Sequence, residues 1–377
     1  MGSVVAGFVV AGSARPARAE GGLFEMRRGS DPRLRGRLTP RGYHATRYAD
    51  FVTRRLAALA LVLAVASVAR AAEPPPPGLG HDHPLAGRIW DVAHGRFVPL
   101  NALASAVSAA RFALLGERHD HPEHHEFQAW LLRRMVENGR RPALAFEMLD
   151  TTQAPALARH LATAPRDAAG LGDAVGWGAS GWPDWRHYQP IAVTALAAGL
   201  PIVAANLPTT TARAVARGDL AMLDPALVRR HALDRPAPAQ AALEDEIRAA
   251  HCGALPDALV PGMVTAQRAR DAEMAERLVA GQRDGAVLIA GAGHVRTDHG
   301  VPRALAVLAP EAGVAAVAFL EVADGWTAPA DYAARFGASR LPFDYVWFTA
   351  RADNVDQCAR LRERAPRSPE KDQPGAS

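Results

Sequence analysis

Lysine is almost missing from this chain. Lys371 is the only one among 377 residues, so arginine supplies nearly all of the positive charge. Many of those arginines fall before residue 70, and the sequence pI of about 9.5 therefore says little about the body of the protein. That body shows no basic stripe interleaved with aromatics, no zinc-finger spacing and no arginine-rich recognition helix, which argues against a nucleic-acid partner. Cysteine is limited to Cys252 and Cys358. Neither lies near the apolar run at residues 56–69, and this excludes a lipidated cysteine there. What is present is ordinary globular material, 49% hydrophobic and 22% charged, enough to bury a sizeable core in one large domain or in a domain with an inserted lobe.

Arg54 and Arg55 precede LAALALVLAVASVA, which is followed by ARA at 69–71 and then AEPPPPG. Charged, apolar and small-residue regions in that order predict a secretory signal over residues 52–71, cut after Ala71, with export to the periplasm; the alternative is an uncleaved anchor. Residues 1–51 lie upstream of the signal and are expected to be a mis-called extension or a disordered segment. In an oxidising compartment Cys252 and Cys358 are expected to form one disulfide, the alternative being two free buried thiols. The segment 361–377, rich in Pro, Ser and charge, is expected to be disordered.

Apolar runs of strand length recur as FALLGE (112–117), ALAFEM (143–148), PIVAAN (201–206), AVLIAG (286–291) and VAAVAFLE (314–321). Near-continuous apolar strands alternating with amphipathic stretches predict an α/β fold, a mostly parallel sheet covered by helices on both faces. A hairpin over 87–100 and a last strand at 343–349 complete the expected sheet. The stretch 154–275 holds only one clear strand and is expected to contribute a helical lobe to a domain spanning 84–360.

In open α/β sheets ligands bind outside the carboxyl ends of the strands. Glu117, Glu147 and Asn206 end three of the apolar runs, and His294 follows a fourth. Glu117 and His119 are two apart and share one direction if the strand persists. Two carboxylates and two imidazoles from three segments suit a divalent metal with nitrogen and oxygen ligands, or a general acid and base pair. The rest of HDHPEHH has a simpler reading. Asp120 is expected to cap a helix, with Glu123 as its capping-box partner, and at least two of the four histidines His119, His121, His124 and His125 are expected to be solvated or structural. His119 is the one expected in the site.

GERH at 116–119 followed by DHPEHHEFQ, AFEM at 145–148, WPDWRHYQP at 182–190, VAANLP at 203–208, HCGALP at 251–256, AQRARDAEMA at 266–275 and GAGHVRTDHGVP at 291–302 together resemble the ChaN-like haem-binding uptake domain of the Tiki superfamily. The resemblance runs from about residue 84 to 360. It implies an exported protein associated with haem or iron uptake, with haem as cofactor, a second copy of the chain as one partner and an outer-membrane uptake protein as another. The superfamily also contains metal-dependent hydrolases. Carried over from them, Glu117, His119 and His294 would hold a divalent metal such as zinc or manganese, while Glu117, Glu147 and His294 would be the catalytic residues.

For haem, an axial ligand comes from His, Tyr, Met or Cys in an apolar slot. The candidates are Tyr188, His187, His119 and His294. Trp182 and Trp185 are candidates to wall a flat ligand, or else pack the fold. Arg268 is the candidate for a haem propionate or a substrate carboxylate, against the alternative of a solvated face.

Overall fold

The computed structural model describes residues 79–280, 283–356 and 358–359. The expected extension at 1–51, the expected signal at 52–71 and the expected disordered tail at 361–377 lie outside them.

The sheet begins with a hairpin, β1 (Ile89–Asp91) and β2 (Arg96–Val98). It continues with β3 (Phe112–Glu117), β4 (Ala143–Asp150), β5 (Ile202–Asn206), β6 (Ala286–Gly291), β7 (Val314–Glu321) and β8 (Tyr345–Thr349). The spatial order is β2-β1-β8-β7-β3-β6-β4-β5. From β8 to β5 every neighbouring pair is parallel, and only the hairpin adds antiparallel pairs at one edge. The five apolar runs, the hairpin and the last strand all stand where the sequence put them.

The central strands are apolar up to their carboxyl-terminal parts because both faces are covered. Ala113 and Leu115 of β3 pack into one core with α1 (Leu100–Ala109), α2 (Pro122–Glu137), α3 (Ala154–Thr163), α4 (Ala168–Ala174) and α5 (Trp185–Ala197). Phe112 and Leu114 point the other way. They join a second core built with the end of α9 (Val260–Val279) and with α10 (Val301–Leu308). Truncating a fully buried side chain such as Phe146 to alanine costs about 3–5 kcal/mol.

Between β5 and β6, α6 (Thr209–Ala216), α7 (Pro225–Arg230), α8 (Gln240–Ala250) and α9 form two smaller apolar clusters of their own. These helices make a helical lobe between β5 and β6, whereas α3, α4 and α5, also within the expected 154–275 stretch, pack on the sheet. Cys252, just past α8, is disulfide-bonded to Cys358, so the two cysteines are not free thiols. The bond links residues 106 apart in sequence, worth roughly 5 kcal/mol in the chain-entropy description.

Helix α2 does not start as expected. Asp120 is not its cap: His121 holds the cap position without a side-chain cap bond, and Pro122 opens the first turn. The Asp120 carboxylate instead lies 2.7 Å from Arg118 Nε, because Arg118 gathers Glu321 and Asp353 as well and draws in a third acid.

After β3 the chain crosses to one face of the sheet through α2. After β6 it crosses to the other through α10, and β3 and β6 are neighbours. The crevice opens where these two connections part. Gly116 lets the turn at Ala292–Val295 settle there. A Cβ at Gly116 would lie 2.3 Å from Val295 Cγ2 and 3.0 Å from the Ala292 Cα. Gly116→Ala is therefore expected to destabilise the protein by about 1–3 kcal/mol through overpacking. Urea unfolding measures it, and an unchanged midpoint would contradict so close an approach.

Candidate functional site

Glu117 closes β3 at the edge of this crevice, and its side chain has no exposed surface. Oε1 accepts from the Tyr188 hydroxyl at 2.7 Å and faces His119 Nδ1 at 2.9 Å. Oε2 accepts from the Gln128 amide at 2.7 Å and lies 3.1 Å from His125 Nδ1. The other ring nitrogen of His125 donates to the His119 carbonyl at 2.9 Å, which fixes the loop that carries His119.

Glu147, on β4 beyond the intervening strand β6, is the second buried carboxylate. It accepts from the Gly291 amide at 2.7 Å and faces His294 Nε2 at 3.2 Å. The Asn206 amide donates to the Glu147 carbonyl at 2.9 Å, so Asn206 anchors the backbone of the site. His294 Nδ1 lies 2.6 Å from Asp271 of α9. His119 Nε2 is 3.9 Å from Glu147 and joins the halves. Six ionisable side chains thus run in sequence: Tyr188, Glu117, His119, Glu147, His294 and Asp271. Gly291 keeps them close, since a Cβ there would sit 2.9 Å from His119 Nε2.

Burial disfavours charge on both glutamates, but the histidines reverse this. The His125 charge and hydrogen bonds from His119 and His125 bring Glu117 down to about 2. His294 and His119 hold Glu147 well below the usual carboxylate range. Burial likewise opposes charge on His294, yet Glu147 and Asp271 on either side raise it to about 10. Asp271 is pushed up by burial. Burial also opposes charge on His119 and His125, which are raised by Glu147 and by Glu117 respectively.

Of the residues expected here, Glu117, His119, Glu147, His294 and Tyr188 come together. His187 lies half-buried with its ring 5.8 Å from that of His125. Trp182 lies at the opening, 4.8 Å from the His119 ring, whose side chain is 31% exposed. Trp185 instead packs the core, edge-on to Trp177, with its indole N–H on the Ala168 carbonyl. Arg268 points away, its guanidinium donating to the carbonyls of Arg235 and Ala232. His121 and His124 are structural: the rings stack 3.8 Å apart, with His124 between the Arg118 amide and Thr349.

The expected metal set of Glu117, His119 and His294 is not arranged as ligands, because His119 Nδ1 is taken by Glu117 and both ring nitrogens of His294 face carboxylates. Among the described residues no group of three or more His, Cys, Asp or Glu is placed to hold a metal ion.

Sequence reasoning missed His125, Gln128 and the role of Asp271. A signal for them exists: each is a polar residue on the buried face of an amphipathic helix.

A family model described as haem-binding uptake, Tiki superfamily, ChaN matches residues 103–305. Among solved structures, ChaN of Campylobacter jejuni, described with cofacial haem binding, is similar at 19% identity and a TM-score of 0.53, covering 69% of this chain and 95% of that one. The type III effector HopBA1 gives a TM-score of 0.33 at 16% identity, covering 59% of this chain and 82% of that one. An erythromycin esterase mutant, EreC, in its open conformation gives 0.33 at 17%, covering 59% and 72%. No curated protein matches the chain.

The His294 shift has a sign that can be measured. Its folded pKa of about 10 lies above the ordinary value of 6.5, so the stabilisation is complete below pH 6.5 and is lost as pH rises towards 10. The melting temperature is expected to fall across that window, and His294→Gln to lose most of the slope. A wild-type profile as flat as that of the variant would contradict a protonated His294.

Proposed function

The chain belongs to the ChaN family of haem-binding uptake proteins in the Tiki superfamily, and from that premise we propose that it binds haem at the mouth of the crevice. Its role would be haem or iron acquisition after export to the periplasm. One observation carries the choice of place. An imidazole that ligates iron must be neutral and have a free lone pair. Burial and the neighbouring His125 lower the pKa of His187, and its ring makes no hydrogen bond among the described residues. Iron held there is the centre that haem contributes.

The other candidates are less suited. The Tyr188 hydroxyl donates to Glu117, and burial together with that carboxylate pushes its pKa far above the ordinary range. Both nitrogens of His294 face acids. Trp182 beside His119 supplies an aromatic wall for a flat ligand.

A second reading, hydrolysis, is favoured by one observation. His119 reaches the opening with a fully buried carboxylate behind it, the arrangement by which an acid or base is oriented for proton transfer. His119 would move the proton, Glu117 would hold its ring, and the Glu147–His294 pair would fix the far side.

Titrating the purified full-length chain with haemin distinguishes the two. Under the haem reading the Soret band shifts saturably, His187→Ala weakens binding roughly tenfold or more, and Tyr188→Phe retains it. Unchanged binding in His187→Ala would contradict the assigned ligand. No saturable shift, together with ester hydrolysis lost in His119→Gln, would replace haem binding by hydrolysis.

A further inference from the structure

The helical lobe contains a cavity of about 490 Å³ between α6, α8 and the first half of α9. Its wall is apolar at Leu243, Ile247, Met263 and Val264. Two arginines face it. Arg213 is exposed at the rim, whereas Arg270 is half-buried and makes no hydrogen bond or ion pair among the described residues. The acid in the lining, Glu246, does not neutralise them, for its carboxylate lies 2.8 Å from both Arg296 Nη1 and His299 Nε2.

A partly desolvated guanidinium without an acceptor, beside an apolar wall, is matched by a ligand with one anionic end and an apolar body. Gln267 stands one turn before Arg270 on α9 and lines the same cavity. Its amide nitrogen lies 3.1 Å from His294 Nδ1. Gly293 borders the cavity too, so its inner end touches the turn that carries His294.

We propose that this cavity binds an amphipathic carboxylate, its head on Arg270 and Gln267 and its apolar body along Leu243, Ile247 and Met263. The arginine in question is not Arg268, whose donors are held by backbone carbonyls. The proposal does not rest on haem binding at the His187 mouth. A free alkanoic acid and a haem propionate offer the same head group, and the test separates them.

Calorimetric titration of the full-length chain with octanoate, with 1-octanol as the uncharged control, reads the site directly. Saturable octanoate binding is expected, with octanol weaker by roughly tenfold or more. Arg270→Gln is expected to remove that preference, and Arg270→Lys to restore part of it. Haemin that displaces octanoate from the wild type would identify a propionate as the natural head group, and failure to displace would identify a free acid; either supports the cavity. Three results would overturn the proposal: no saturable octanoate binding, equal binding of octanoate and octanol, or wild-type affinity in Arg270→Gln.

Discussion

The Glu117 carboxylate has no exposed surface, so its lone pairs must be met from within the protein. That requirement organises its surroundings. Tyr188 comes from α5, Gln128 and His125 from α2, and His119 from the loop between β3 and α2. Those elements also form one face of the sheet, so the packing of α2 and α5 is tied to the protonation of the residues they carry. Removing a partner of such a group leaves a buried polar atom unmet, which costs about 1–3 kcal/mol in addition to any effect on binding.

Glu147 repeats the device two strands along, across β6, and His119 lies between the two carboxylates. The halves differ in access. His294 and Asp271 are sealed under α9, while His119 meets the opening beside Trp182. A polar chain that is buried at both ends and open only at His119, within it, holds its geometry without solvent and presents a single imidazole to whatever enters. The proposed haem binding at His187 and the alternative of proton transfer at His119 would be different uses of one scaffold.

Much of this was legible in the sequence because strands buried on both faces leave continuous apolar runs, and the residue that ends each run marks the crevice. Glu117, Glu147 and His294 were found in this way. What was not legible depended on which way a helix faces. His125 and Gln128 read as part of a polar helix start, although the Glu117 carboxylate requires both on its inner side. Arg268 was expected at a ligand carboxylate, while Asp271, three positions on, was given no role in the site. Asp271 meets His294, a contact between residues 23 positions apart that local spacing cannot reveal. Asp120 failed as a cap because Arg118, with Glu321 and Asp353 brought from distant parts of the chain, competes for its carboxylate.

The central claim is that His294 is a buried imidazolium held between Glu147 and Asp271. Nitrogen NMR of the histidine rings in the wild-type chain near pH 8, with His294 assigned by comparison with His294→Gln, tests it most directly. That pH lies above the ordinary histidine value of 6.5 and below the folded value of about 10. Two protonated ring nitrogens with slowly exchanging protons are the predicted result. A single neutral tautomer at that pH would contradict the account.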